Sequence, residues 1–185
     1  MHDLFYREDI FRDYDHAAKR ARGIDFTIDY QGRWYFHGVQ NPGPIKRKAL
    51  AALFGGAGSG FMAGKGLQTD EAGAFFLKSP EGRYGVEVED VPFIITAGNL
   101  HNNNLVLMTN FEEEFTVGPD HDLVLRPEPH QGIDVFYALV RKGLWGRLTT
   151  QMNNWLVTSL LQEDGAGFTL QSGGKLFRFD GNEKH

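Results

Sequence analysis

The chain has 185 residues, of which 41% are hydrophobic and 13% aromatic, a composition that predicts a packed globular protein and excludes a fibrous or largely disordered one. Nineteen basic against 24 acidic residues give a net charge of -5, which excludes binding to duplex nucleic acid over the whole surface. The absence of cysteine excludes thiolate catalysis, iron–sulfur clusters and disulfides. No apolar run is long enough for a membrane span, and the acidic start MHDLFYREDIF is unlike a signal peptide. We therefore expect a cytoplasmic protein.

The first third predicts a helix, a hairpin and a second helix. Residues 8–22 place apolar side chains at helical spacing, with acids first and bases last. Residues 24–30 and 33–38 alternate as two strands around a turn at Gly32. The segment NPGPIKRKALAALFGG, residues 41–56, predicts a helix that begins near Pro44.

The remainder predicts mostly strands, with one long helix. Residues 144–161 carry leucines, Met152 and Trp155 on one side and predict this helix. The strings GFTLQS and KLFRFD predict a closing hairpin around Gly173 and Gly174. The other strand predictions rest on β-branched and aromatic runs: AFFLKSP, YGVEVEDVPFIITAG, LVLMTNF, EEEFTVG, DLVLRPE and IDVFYALV.

A similar order of predicted elements, strand, helix and hairpin, occurs towards both ends of the chain, and we infer an internal duplication. The alternative is two unrelated strand–helix–hairpin units. The fold expectation is an α+β protein with two similar halves, each an antiparallel sheet with a helix. The expected division is an N-terminal helix at 1–22, a first domain at 23–98, a second at 99–181 and a tail at 182–185.

The glycine-rich stretch GGAGSGFMAGKG suggests a phosphate-binding loop, but its spacing is wrong. Three residues separate Gly60 from Gly64 where a nucleoside-triphosphatase loop needs four, and Lys65 is followed by Gly66 rather than Ser or Thr. We expect a surface loop over residues 55–66.

His121 lies between Asp120 and Asp122, which suggests a metal site. On a strand, however, the two aspartates would point away from the histidine, and no second metal-binding motif supports the site. We expect a surface turn, and neither a metal nor a cofactor. A metal-dependent hydrolase that uses His121 with its flanking aspartates or His130 is the lesser alternative.

The most informative feature is a violation of helix electrostatics. The helix predicted near Pro44 opens with Lys46, Arg47 and Lys48, although helix N-termini favour acids. The second predicted helix has Arg141, Lys142 and Arg147 around its expected start at Gly143. Cations beside free helix N–H groups would form a receptor for anions.

The cations also have an explanation without a ligand, and nearby aromatic residues have two interpretations. The cations can be neutralised by acids such as Glu89, Asp90 or Glu128. Aromatic residues near both predicted strand–helix junctions can stack a purine ring, but core packing explains them as well. These aromatic residues are Trp34, Tyr35, Phe36, Phe136, Tyr137 and Trp145.

The strings WYFHG, PIKRKALAALF, VEDVPF, LMTNF, GPDHDL and YALVRKGL, taken in this order, resemble the bacterial domain-of-unknown-function 1285 family over residues 23–181. The resemblance implies a duplicated core, a C-terminal domain loosely like a pleckstrin-homology domain, a nucleotide-like ligand between the halves and a role in signalling. The positions that match the family pattern are Trp34, Arg47, Glu89, Asp90, Pro92, Asn110, His121, Arg141 and Gly143.

We therefore expect a protein without recognised catalytic machinery that binds a small anionic, nucleotide-like ligand between its halves. Arg47 and Arg141 would contact phosphate or carboxylate oxygens, because a guanidinium matches their geometry. Glu89 or Asp90 would orient these arginines or accept from a ligand hydroxyl. Trp34, Asn110 and His121 complete the expected site. The rival interpretation is a protein–protein interaction module without a small ligand.

Overall fold

The computed structural model describes residues 12–38, 43–45, 66–165 and 167–180. The chain divides into two compact units, Met1–Glu89 and Asp90–His185, which we call unit 1 and unit 2. This division lies ahead of residue 98, where the sequence analysis placed the limit between two domains. The helix expected after Pro44 and most of the glycine-rich stretch lie outside the described residues.

Unit 1 contains a short helix and a five-stranded sheet. Helix α1 spans His16–Ala21, and its N-cap is Asp15, whose side chain accepts from the Ala18 N–H. The sheet has the order β2-β1-β5-β4-β3, with β1 and β5 parallel and the other pairs antiparallel. Its strands are β1 Phe26–Ile28, β2 Trp34–Phe36, β3 Gly66–Thr69, β4 Phe75–Ser79 and β5 Gly82–Val88.

The predicted hairpin of β1 and β2 is confirmed, whereas the predicted N-terminal helix is too long. Described residues before His16 are not helical, because Asp15 caps the helix at that point. The helix ends before Gly23, whose φ of 76° suits a residue without a side chain.

Unit 2 contains a six-stranded sheet, a helix and a three-stranded sheet. The six-stranded sheet has the order β8-β7-β6-β11-β10-β9, with β6 and β11 parallel at its centre. Helix α2 spans Thr150–Ser159 and is followed by the sheet β12-β13-β14. The strands are β6 Phe93–His101, β7 Asn104–Thr109, β8 Glu114–Thr116, β9 Leu123–Pro127, β10 Asp134–Arg141, β11 Leu144–Leu148, β12 Gln162–Asp164, β13 Gly167–Ser172 and β14 Lys175–Asp180.

The core of unit 2 lies between one face of the large sheet, α2 and the small sheet. Met152 and Leu156 are the buried residues of α2. The rings of Phe136 on β10 and Phe179 on β14 meet edge to face at 5.0 Å. A Cβ at Gly98 would approach the Met152 side chain to 2.9 Å, so the helix packs closely on β6 at this glycine.

The helix predicted over residues 144–161 is wrong in its first third. Leu144–Leu148 form strand β11, and α2 begins only at Thr150, after the N-cap Thr149. Leu144 and Leu148 are both buried, and a spacing of four residues places side chains on the same side of a helix and of a strand alike. Gly143, with a φ of 75°, lies in the turn between β10 and β11 rather than at a helix start.

The described residues are mostly strands, with two helices, which confirms a sheet-rich α+β fold at that level. The closing hairpin is confirmed as β13 and β14. The sequence analysis missed β12, and also β3, which begins at Gly66, the last residue of the expected glycine-rich loop. Neither helix in the described part of the chain is long and apolar enough to cross a membrane.

Candidate functional site

Three of the expected site residues have structural roles within their own unit. Trp34 is 2% exposed in unit 1, where its ring meets that of Phe26 at 6.0 Å. Asn110 follows β7 in unit 2, and its side-chain oxygen accepts from the Ile94 N–H at 3.1 Å. His121 is half-buried, and its Nδ1 lies 3.0 Å from the Leu139 carbonyl oxygen. Arg47 lies outside the described residues.

The described residues do not gather around His121 as metal ligands. Its ring lies against Phe115 at a centroid distance of 5.1 Å, and its Nδ1 donates to the Leu139 carbonyl. Nowhere in residues 12–38, 43–45, 66–165 or 167–180 do three or more His, Asp or Glu side chains form a group that could hold a metal ion.

The expected cationic helix start in unit 2 is absent from the described structure, which corrects the reasoning that selected Arg141. Arg141 ends β10, where its guanidinium lies 2.9 Å from Glu113 Oε2 and 5.3 Å from the centre of the Phe93 ring. Arg147 lies on β11. The helix α2 begins after the hairpin of β10 and β11 rather than within it, and its first turn therefore contains no charged residue.

Glu89 belongs to a polar network in unit 1. Its carboxylate accepts from the Tyr14 hydroxyl at 2.6 Å and from the Tyr30 N–H at 2.9 Å, and it lies 3.4 Å from the Arg12 guanidinium. Burial, followed by the hydrogen bond to Glu89, raises the pKa of Tyr14. Tyr14 therefore stays protonated at neutral pH and donates a hydrogen bond to Glu89.

Asp90 belongs to a different network, in unit 2. Both of its carboxylate oxygens lie 3.2 Å from the Tyr137 hydroxyl, and Oδ2 lies 3.3 Å from Arg147 Nε. Burial raises the pKa of Asp90, and the Tyr137 hydrogen bond and the charge of Arg126 oppose that shift. Burial and the Asp90 charge in turn raise the pKa of Tyr137.

Arg126 stacks on the aromatic residues of this network. Its guanidinium lies 3.9 Å from the centre of the Tyr137 ring and 5.6 Å from that of Trp145. Strand register explains the stack: Arg126 pairs with Val135, two residues before Tyr137, so the two side chains are diagonal neighbours on one face. We call Asp90, Arg126, Tyr137, Trp145 and Arg147 the arginine–aromatic cluster.

Asp90 and Glu128, two carboxylates of unit 2, are held by other groups. Asp90 contacts Tyr137 and Arg147, and Glu128 accepts from the backbone N–H groups of His130 and Gln131. Within the described part of the chain, no carboxylate forms an ion pair with Arg126. A guanidinium has five N–H donors, so Arg126 in cation–π contact with Tyr137 retains N–H groups that can bind an anion.

The sequence analysis missed Arg126. One signal was available: in DLVLRPE, Arg126 follows the alternating Leu123 and Leu125, so it must point to the opposite face of its strand. The analysis considered Tyr137 and Trp145 only as residues able to stack a ring. Their proximity to Arg126 depends on how β9, β10 and β11 pair, which no local pattern states.

Comparison with known proteins bears on unit 2 and on the fold as a whole. The family model described as "Protein of unknown function (DUF1285), C-terminal domain" matches residues 92–179. No curated protein matches the chain in sequence.

Two solved structures are similar to the chain. A crystal structure of a DUF1285 family protein from Silicibacter pomeroyi DSS-3 aligns with a TM-score of 0.68 and 23% identity, over 85% of this chain and 79% of that one. A second, from Shewanella baltica OS155, aligns with a TM-score of 0.53 and 22% identity, over 72% of this chain and 91% of that one.

The resemblance seen in the sequence is therefore confirmed: residues 92–179, within unit 2, match the C-terminal domain of DUF1285 proteins, and two solved structures of DUF1285 proteins share the fold.

Proposed function

We propose that this protein binds a small anionic ligand, and that the arginine–aromatic cluster of unit 2 provides the contact. The observation that carries the proposal is the position of Arg126: its guanidinium is stacked on Tyr137 and is not in an ion pair with a carboxylate of the described residues. Stacking holds the side chain in place, so less conformational entropy is lost when an anion binds.

The rest of the cluster supports this role. Arg147 and Tyr137 hold Asp90, so this carboxylate does not occupy the Arg126 guanidinium. Half-buried Trp145 offers an aromatic surface beside Arg126, which suits a ligand that carries both a negative charge and a planar ring. A nucleotide-like ligand has both features.

The proposal changes the residues that the sequence suggested. Arg141 is paired with Glu113 at 2.9 Å, so an anion there would compete with a carboxylate that is already bound. Arg126 replaces it as the principal contact. Arg47 remains an expected further contact, and signalling by the ligand-bound protein remains an expectation that the family resemblance implies.

Thermal unfolding in the presence of anions tests the proposal. Phosphate, pyrophosphate, AMP and succinate are each added to the wild-type chain and to Arg126→Gln. A ligand at 100 times its Kd adds about 2.7 kcal/mol of stability, which corresponds to a rise in Tm of roughly 5–10 °C for a chain of this length. We expect such a rise with at least one anion in the wild type and its loss in Arg126→Gln.

Arg178→Gln is the matched control, because Arg178 is 65% exposed and lies in the same unit on β14. It should keep the rise in Tm. The proposal is wrong if none of the four anions stabilises the wild type. A rise that survives in Arg126→Gln would keep anion binding but exclude the arginine–aromatic cluster as its site.

A further inference from the structure

The described N-terminal segment of unit 1, residues 12–22, packs against the sheet without an apolar anchor. None of its side chains is buried, and α1 contributes no buried residue. Segments of this length are usually held by burial of an apolar stripe. Within the described residues, polar and aromatic contacts hold it in place.

The sheet face beneath this segment is polar and acidic. Thr27 pairs with Tyr35 on one side and with Glu87 on the other, so these three side chains share a face, whereas the neighbouring Phe26, Ile28 and Trp34 face the core. We call this surface the acidic face. The residues on it, at alternate positions of β1, β2 and β5 and just beyond their ends, are Asp25, Thr27, Asp29, Tyr35, His37, Glu87 and Glu89.

Basic and aromatic residues of the segment contact the acidic face. Lys19 forms an ion pair and hydrogen bond with Glu87, and Arg22 lies 3.6 Å from the same carboxylate. Tyr14 donates to Glu89 at 2.6 Å, and its ring meets that of Tyr35 at 5.0 Å. The segment is thus complementary in charge to the face.

A hydrogen bond between two histidines joins the segment to the acidic face. His16 Nδ1 lies 2.7 Å from Nδ1 of His37, which is 2% exposed, and His37 Nε2 lies 2.8 Å from Thr27 Oγ1. A contact between two ring nitrogens needs one N–H donor and one bare acceptor. If both rings are protonated, two N–H groups face each other and the bond is lost.

We propose that the acidic face is a docking surface for a basic segment, that residues 12–22 are its resident occupant, and that acid releases them by protonating His37 and so breaking its hydrogen bond to His16.

The groups around the histidine pair set the direction of the pH effect. His37 faces His16, Lys19 and Tyr14 from the segment, Thr27 and Asp25 from the β1 side, and Glu87 from β5. Burial, followed by the charges of His16 and Lys19, lowers the pKa of His37, and Glu87 and Asp25 oppose this. The docked form therefore binds this proton less tightly than the released form does.

Docking is strongest above the ordinary histidine pKa of about 6.5. It weakens as the pH falls below that value, by up to about tenfold for each pH unit, until the lowered pKa of docked His37 is reached.

Hydrogen exchange of the full chain, corrected for the intrinsic effect of pH, tests the proposal. Between pH 6.5 and 5.5 the amides of residues 16–24 should lose protection by up to about tenfold. Protection of the β10 amides should not change, which separates release of the segment from unfolding. In His16→Asn, the amide still forms a hydrogen bond with His37 but cannot be protonated, so the pH dependence should largely disappear.

His101→Asn is the matched control, because His101 is exposed at the end of β6 in unit 2. It should keep the pH dependence of the wild type. Equal protection of residues 16–24 at both pH values in the wild type would overturn the proposal. So would an unaltered pH dependence in His16→Asn.

Discussion

The two large sheets of the molecule have the same central arrangement and different covers. In each sheet the first and last strands along the chain lie side by side and parallel, β1 with β5 in unit 1 and β6 with β11 in unit 2. In unit 2, α2 covers one face and buries Met152 and Leu156. In unit 1, residues 12–22 cover the acidic face, and none of their own side chains is buried.

The difference shows that a cover can be held in two ways. Apolar burial is insensitive to salt and to pH near neutrality, whereas ion pairs and histidine hydrogen bonds depend on both. We therefore expect α2 to stay packed on its sheet when salt and pH change. The contact of residues 12–22 with the acidic face should weaken with added salt or acid. Two substitutions test this contrast, and a third tests the buried carboxylate of the arginine–aromatic cluster.

The largest expected effect is on the apolar cover. Leu156 is fully buried, so Leu156→Ala should reduce the free energy of unfolding by about 2–5 kcal/mol through lost burial and the cavity left behind. Urea denaturation monitored by circular dichroism measures this loss, which should be the same at low and high salt. Val157→Ala is the control, since Val157 is 47% exposed on the same helix and should cost far less. Equal losses in the two variants would contradict an apolar anchor at Leu156.

A smaller effect is expected on the charged cover. Glu87→Gln removes the partner of Lys19 and Arg22 and should reduce stability by about 1 kcal/mol at low salt. The loss should shrink in 0.5 M salt, because salt screens the ion pairs that the wild type keeps. Denaturation at both salt concentrations measures it, with exposed Glu114→Gln as the control. A loss that does not change with salt would show that charge does not hold the segment.

The smallest effect concerns Asp90 in unit 2. Because folding raises the pKa of Asp90, its contribution to stability is complete below the unfolded pKa and is lost as the pH rises through the folded one. The free energy of unfolding of the neutral variant Asp90→Asn, relative to that of the wild type, should therefore be higher at pH 8 than at pH 4. Denaturation midpoints at the two pH values measure this. The opposite order would mean that Arg147 and Tyr137 stabilise the ionised form more than burial penalises it.

Most strands were predictable because alternation is a local property. The strings IDVFYALV, GFTLQS and KLFRFD have side chains that alternate between buried and exposed faces, or runs that are buried on both. The start of α2 was not predictable from spacing, since the four-residue interval between Leu144 and Leu148 fits both a helix and a strand. The glycine at 143 allows a tight turn, and this turn makes residues 144–148 pair with β10.

The candidate site was predictable only in part. Asp90 was selected from the family resemblance and does contact an arginine, but among the described residues its partner is Arg147 rather than Arg141. The internal duplication remains a prediction. The segment β12 to β14 forms a sheet of its own in unit 2, whereas β3 to β5 join the main sheet of unit 1.

The sequence by itself determined the class of the fold, most of its strands and the absence of cysteine chemistry, because composition and alternation act through neighbouring residues. Only the tertiary structure decided which charges meet. Arg126 on β9 contacts Tyr137 on the neighbouring strand β10, and Lys19 contacts Glu87, which lies 68 positions further along the chain. Such contacts depend on strand register and packing, which combine residues that no local pattern connects.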